Sequence, residues 1–192
     1  MDKMSETKTA TIVSERSQLN AIGLVAIGVL LTYASAKVRV PFYPVPMTLQ
    51  TMAVMALALA YGPRLAMASF GTYLALGAAG LPVFSETPEW GLGLSYMAGP
   101  TGGYLLGFLL ASGVVGTIAR GGNAMARCLG MLAGLFLIYA IGAAWLSHFV
   151  GSFQRVVEIG ILRFLPGDFL KIALVLAGAA LSDGYFRRKA GA

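Results

Sequence analysis

Two charged residues stand where an apolar helix should simply begin. In the stretch RFLPGDFLKIALVLAGAAL, Arg163–Leu181, Asp168 and Lys171 open a run otherwise built from Leu, Ile, Val and Ala. Three residues apart, they share one helix face, and at about 1.5 Å rise per residue Lys171 lies roughly 8 Å deeper than Pro166. Pro166 suits a first helical turn, where its missing N–H costs nothing, and Asp168 lies near the positive end of the helix dipole. A plain i,i+3 ion pair with Lys171 snorkelling to the surface accounts for part of this. Yet each charge costs about 2.5–3.5 kcal/mol at mid-bilayer on insertion scales, less near an edge. A helix head has no need of either, so the pair points to a polar ligand offering donors and an acceptor or anion.

Three other stretches concentrate polar or conformationally special residues. In PFYPVPMTLQT, Pro41–Thr51, three prolines force an extended entry, and Thr48, Gln50 and Thr51 then open a helix. Thr48 suits a cap at the helix start. Gln50 brings an amide into an apolar helix, where it needs partners from the protein or a ligand. In TYLALGAAGLPVF, Thr72–Phe84, Gly80 is placed to end a helix in the left-handed region, and Pro82 stops its resumption. Tyr73 and Phe84 there read either as packing or as ligand contacts. In AGPTGGYLLGF, Ala98–Phe108, Pro100 and Thr101 start a helix. Gly102 and Gly103 let another group come close to its backbone, and its first-turn N–H groups point outward.

The elements that position these residues follow from hydropathy. Of 192 residues, 57% are hydrophobic and 11% charged, against about a quarter charged in soluble domains, so the chain is an integral membrane protein embedded in a lipid bilayer. Six spans are expected: Leu19–Ala36, Met47–Tyr61, Pro63–Ala79, Thr101–Ala119, Ala126–Trp145 and Pro166–Leu181. The second and sixth are short of the roughly 20 residues a crossing needs. This gives an all-α fold of six transmembrane helices with both termini on one side. Lys3, Lys8, Arg16, Arg64, Arg120, Arg127, Arg187, Arg188 and Lys189 fall on the side of the termini, and Lys37, Arg39, Arg155 and Arg163 on the other. That bias makes the termini cytoplasmic. Residues 1–17 read as a cytoplasmic N-terminal tail rather than a cleaved signal, 18–183 as the membrane domain, and 184–192 as a basic cytoplasmic tail.

The net charge of +6 is thus spent on topology, and no nucleic-acid partner is expected. The cytoplasmic turns are tight, whereas the outer loops Lys37–Pro46, Gly80–Pro100 and Leu146–Leu165 are long, which places the working face outside. The loop Gly80–Pro100 reads either as a lid folded back over the bundle or as an interfacial loop with Trp90 and Tyr96 among headgroups. Small-residue pairs, Gly130 with Gly134 foremost, permit close helix approach, within the bundle or against another subunit. Catalytic patterns are missing. His148 is alone, Cys128 has no partner, and no Gly-Lys pair exists for a phosphate loop. Neither an enzyme, a metal nor a cofactor is expected.

Taken together and in order, VPMTLQT, YLALGAAGLPVF, AGPTGGYLLGF and FLPGDFLKI resemble the BioY family, the biotin-binding S components of energy-coupling-factor (ECF) transporters. The resemblance runs from about Pro44 to Ile172. It implies a six-helix fold in the bacterial cytoplasmic (inner) membrane, with the vitamin bound near the outer surface. It also implies uptake powered by a transmembrane coupling subunit and two ATP-binding subunits, with self-association into a homo-oligomer proposed for some members. The family's Gly-Asp-x-x-Lys falls on Gly167, Asp168 and Lys171. Biotin offers two ureido N–H donors, a ureido carbonyl, an apolar thioether ring and a carboxylate. A carboxylate suits the N–H groups, and an ammonium suits either oxygen function. The expected ligand contacts are Asp168, Lys171, Gln50, Thr48, Tyr43, Tyr73, Phe84, Thr101, Gly102 and Tyr104, with Tyr43, Phe84 and Tyr104 packing on the rings. One departure concerns docking. Other S components often carry Ala-x-x-x-Ala in the first helix, whereas Ala21, Gly23, Ala26 and Gly28 lack that spacing. A different vitamin, a small membrane carrier working alone and an intramembrane enzyme using Asp168 are the competing readings.

Overall fold

The computed structural model describes the backbone of residues 3–41 and 43–190, and the side chains of 18–41, 43–185 and 189. The tail cations Lys3, Lys8, Arg16, Arg187 and Arg188 lie outside the described side chains. Helix α1 spans Lys3–Lys37, continuous through the polar stretch assigned above to a tail, with its apolar part at Gln18–Lys37. The proline-rich entry forms a small hairpin in which β1 (Arg39–Val40) pairs antiparallel with β2 (Met47–Thr48). Then come α2 (Gln50–Ala78), α3 (Gly93–Met97), α4 (Gly102–Ile118), α5 (Ala124–Leu146), α6 (Phe153–Val157) and α7 (Leu165–Ala190). A wide-turned π segment, Glu158–Leu162, joins α6 to α7. The outer loop Leu146–Leu165 is therefore largely helical.

Five of these helices are long and apolar enough to cross a membrane, and the chain is a multi-pass membrane protein. One of the five, α2, is two arms. In a straight helix Gln50 and Tyr73 would stand about 34 Å apart, yet Gln50 Nε2 donates to Tyr73 Oη at 3.1 Å. The chain reverses at Gly62, whose φ of 73° and ψ of 175° belong to a region essentially reserved for glycine. Pro63 then opens the second arm. The arms correspond to the expected spans Met47–Tyr61 and Pro63–Ala79. A Cβ at Gly62 meets no atom within 4 Å, so strain alone decides the outcome of Gly62→Ala. It should cost about 1–3 kcal/mol, read as earlier thermal unfolding in detergent, whereas Gly23→Ala, equally open, should not.

The tightest seam joins α4 to α5. A Cβ on Gly107 would stand 2.9 Å from Ile138 Cα, and one on Gly134 3.5 Å from Ala111 Cβ. The Gly130–Gly134 spacing thus serves packing inside the bundle. Phe70, Tyr73, Phe84, Met55, Met131, Ile138 and Leu146 fill the interior, while Leu30, Phe136, Leu174 and Leu181 are exposed on the outside. In water such a surface is a liability; against lipid tails it is the proper solvent contact. At the end opposite the long loops, Arg127 of α5 and Asp183 of α7 form a two-pronged pair, 2.6 and 3.3 Å.

Candidate substrate-binding site

The first turns of α7 carry the chemistry. Asp168 and Lys171 are 4% and 7% exposed, so the face they share points into the bundle and Lys171 does not snorkel out. Lys171 Nζ donates to Asp168 Oδ1 at 2.8 Å and to the Thr48 carbonyl at 2.6 Å. Tyr139 Oη, from the middle of α5, donates to Asp168 Oδ2 at 2.7 Å. An ammonium has three donors, and each carboxylate oxygen accepts more than one bond. The cluster is therefore satisfied and still holds spare capacity: one N–H and two oxygen lone pairs.

That capacity faces a cavity under the β1–β2 hairpin. Its walls are Val45–Thr48 from the hairpin, Gln50 and Thr51 from α2, Thr101 just before α4 with Tyr104 and Phe108 from it, Ile138 and Tyr139 from α5, and Phe164, Asp168 and Lys171. Ser85 closes one side. Its volume is about 40 Å³. A water needs about 10–15 Å³ on this measure, and sites for small organic ligands run to about 300–1,000 Å³. The cavity has room for a few waters, and a two-ring ligand calls for a larger space than this.

Of the expected contacts, Asp168, Lys171, Gln50, Thr48, Thr101 and Tyr104 line this cavity. The other four stand elsewhere. Tyr73 lies behind Gln50, accepting from its amide and donating to the Val83 carbonyl at 3.1 Å. Phe84 stacks on Tyr96 at 4.8 Å and meets Tyr73 edge-on. Gly102 is pressed against the Met97 carbonyl and the Trp145 indole, so the close approach its lack of a Cβ allows is made by protein. Tyr43 is 78% exposed and edge-on to Trp90. Thr48 also serves the helix start, its hydroxyl accepting from the Gln50 N–H at 3.2 Å. Tyr139, Phe108, Ile138 and Phe164 were not anticipated.

The loop between α2 and α3 folds back over the bundle and is tied to the end of α1 and to β1. Gly80, at φ 97°, turns the chain out of α2 as its sequence context indicates. Lys37 Nζ donates to the Phe84 carbonyl at 2.7 Å and to Thr87. Arg39 donates to the Ser85 carbonyl at 2.7 Å and stands 3.5 Å from Glu86 Oε1. Glu86 Oε2 is buried and has no hydrogen-bond partner among the described residues. Burial pushes the Glu86 carboxyl above the usual carboxylate range, with Arg39 opposing and Glu89 reinforcing the rise. A raised acid in the closed loop favours closure when protonated, so closure should strengthen as pH falls through that raised value and weaken above it. Hydrogen-exchange protection of residues 81–92, taken relative to the intrinsic exchange rate at each pH, should therefore be greater at pH 5 than at pH 8, and Glu86→Gln should flatten the difference. An unchanged pH dependence in that variant would assign it to another group.

An apolar helical bundle with a largely apolar cavity beneath its long loops, carrying a buried cluster of charged and polar groups on one wall, has the form of a solute-binding membrane protein. The match to known proteins narrows the class. The chain belongs to the BioY family, whose pattern matches residues 5–187. A probable biotin transporter BioY of Pyrococcus horikoshii is 40% identical over 163 residues, 85% of this chain and 96% of its own length. The biotin transporter BioY of Thermotoga maritima is 35% identical over 75% of this chain and 84% of its own. The crystal structure of the S-component for biotin from an ECF-type ABC transporter superposes with a TM-score of 0.68 at 26% identity, covering 93% of this chain and 92% of that one.

Proposed function

We propose that this chain captures biotin at the outer end of its bundle and delivers it to the cytoplasm as the substrate-binding subunit of an ECF transporter. The observation that carries the proposal is the Asp168–Lys171–Tyr139 cluster, buried on a cavity wall with donors and acceptors to spare. The carboxylate accepts from ureido N–H groups. The ammonium donates to the ureido oxygen or to the tail carboxylate. Thr101, Gln50 and Thr48 offer further polar contacts, and Tyr104, Phe108 and Phe164 give the thioether ring apolar walls. Tyr73 and Phe84 act from behind, fixing Gln50 and the loop.

ATP hydrolysis is assigned to separate subunits, two ATP-binding and one transmembrane coupling subunit, in the cytoplasmic membrane. This chain carries no phosphate-loop sequence. Both termini are placed in the cytoplasm by the charge bias, and association with further copies of this chain is compatible with the fold. Purified protein should bind labelled biotin without ATP and discriminate against thiamine and riboflavin. Preference for either control vitamin would overturn the assignment. On a Cys128→Ser background, Glu89→Cys should be alkylated from outside intact cells and Ser5→Cys should not.

A further inference from the structure

A second cavity lies outside the first. It holds about 650 Å³, opens outward, and is bounded by Tyr43, Pro44, Pro100, Ile159, Arg155 and Arg163, among others. The two cavities share walls. Pro44 continues into Val45, Pro100 into Thr101 and Arg163 into Phe164, and each of those next residues lines the inner cavity. The outer space therefore borders the inner cavity in which Asp168 and Lys171 stand.

The charges are divided unevenly between the two spaces. Inside, Asp168 and Lys171 cancel at 2.8 Å and exert little pull at a distance. Lys37 and Arg39 are committed to loop carbonyls. Arg155 and Arg163 are exposed, and neither lies within 4 Å of a carboxylate among the described residues. Glu158 borders a shallower lobe beside them, leaving the mouth with a net single positive charge. Two guanidinium groups around an outward-facing recess make a receptor for a carboxylate.

We infer that Arg155 and Arg163 form an entry station that captures the carboxylate of the incoming ligand before its ring passes the hairpin into the inner cavity. The inference rests on biotin being that ligand. The arginines act on the encounter and not on the final complex, so they govern the association rate. Steering of this kind raises association by about 10–10³-fold and falls steeply with salt. It fades as the Debye length shrinks from about 10 Å at 0.1 M to about 3 Å at 1 M.

The test is stopped-flow binding of biotin to the full chain in discs of zwitterionic lipid. The double variant Arg155→Gln/Arg163→Gln should associate about three- to tenfold more slowly at low salt, with an unchanged dissociation rate. The gap should close near 1 M salt. Biotinamide, which lacks the negative charge, should associate with both proteins at the same rate. Equal association rates for biotin would overturn the inference, as would a loss that appears in dissociation or persists for biotinamide. A defect confined to discs containing phosphatidylglycerol would hand the arginines to lipid headgroups and equally overturn it. Tight wild-type binding with any of these outcomes sinks only the entry station, whereas absence of wild-type binding sinks the biotin assignment itself.

Discussion

Asp168→Asn should weaken biotin binding by about ten- to hundredfold, the equivalent of about 1.5–3 kcal/mol for a lost hydrogen bond to a charged group. The amide nearly matches the carboxylate in shape but presents one acceptor oxygen instead of two. Its NH₂ would face Lys171 Nζ or Tyr139 Oη, both of which already donate at this position. Lys171→Met keeps the apolar stem and removes the charge, and a loss of similar size is expected. Affinity alone does not separate a ligand contact from a structural pair, because the two residues are buried together. Either single change leaves an uncompensated charge in the bundle, and unfolding should come earlier in both. The double variant Asp168→Asn/Lys171→Met removes both charges, so its unliganded stability should return close to the parent's while its affinity stays low. Recovery of affinity along with stability would show that the pair serves the fold and not the vitamin.

How much of this was legible in the sequence varies from element to element. The reversal at Gly62 was legible, because Gly-Pro between two apolar runs admits little but a turn followed by a helix start. That Asp168 and Lys171 share one face followed from their spacing. The fate of the Gly80–Pro100 loop did not, since Lys37 and Arg39 hold it across 46–50 residues of sequence, and no local pattern announces a bond of that range. Gly102 and Gly103 correctly signalled a close approach, but the approaching groups, the Met97 carbonyl and Trp145, are set by how α4 meets α3 and α5. Tyr139 gave no signal at all. A tyrosine in an apolar helix is ordinary, and its partner Asp168 lies 29 residues away. The helical π segment was hidden for a similar reason: Arg155, Glu158 and Arg163 made the stretch read as loop, while the backbone there folds under the packing of Val156, Ile159 and Gly160.

The glycines around Tyr104 tie packing to the site more closely than any single polar contact. Tyr104 lines the inner cavity, and its hydroxyl donates to the Gly160 carbonyl at 2.8 Å. A Cβ on Gly142 would stand 2.7 Å from Tyr104 Cγ and nearer still to the ring edge; one on Gly160 would stand 2.6 Å from the hydroxyl oxygen. The ring is held against two backbones that lack side chains, and the free volume beside it is the cavity. Gly142→Ala should therefore push the ring toward the ligand's space, destabilising the protein by about 1–3 kcal/mol through overpacking and weakening biotin binding by about tenfold, near 1.4 kcal/mol. Gly178→Ala on α7, where nothing lies within 4 Å, supplies the control and should be neutral or stabilising by up to about 1 kcal/mol. Tyr104→Leu decides the cause. If the methyl group acts by displacing the ring, adding Gly142→Ala to Tyr104→Leu should cost almost nothing further, a strong departure from additivity expected only of residues in contact. An equal loss with and without the tyrosine ring would place the damage in α5 itself and leave the site untouched.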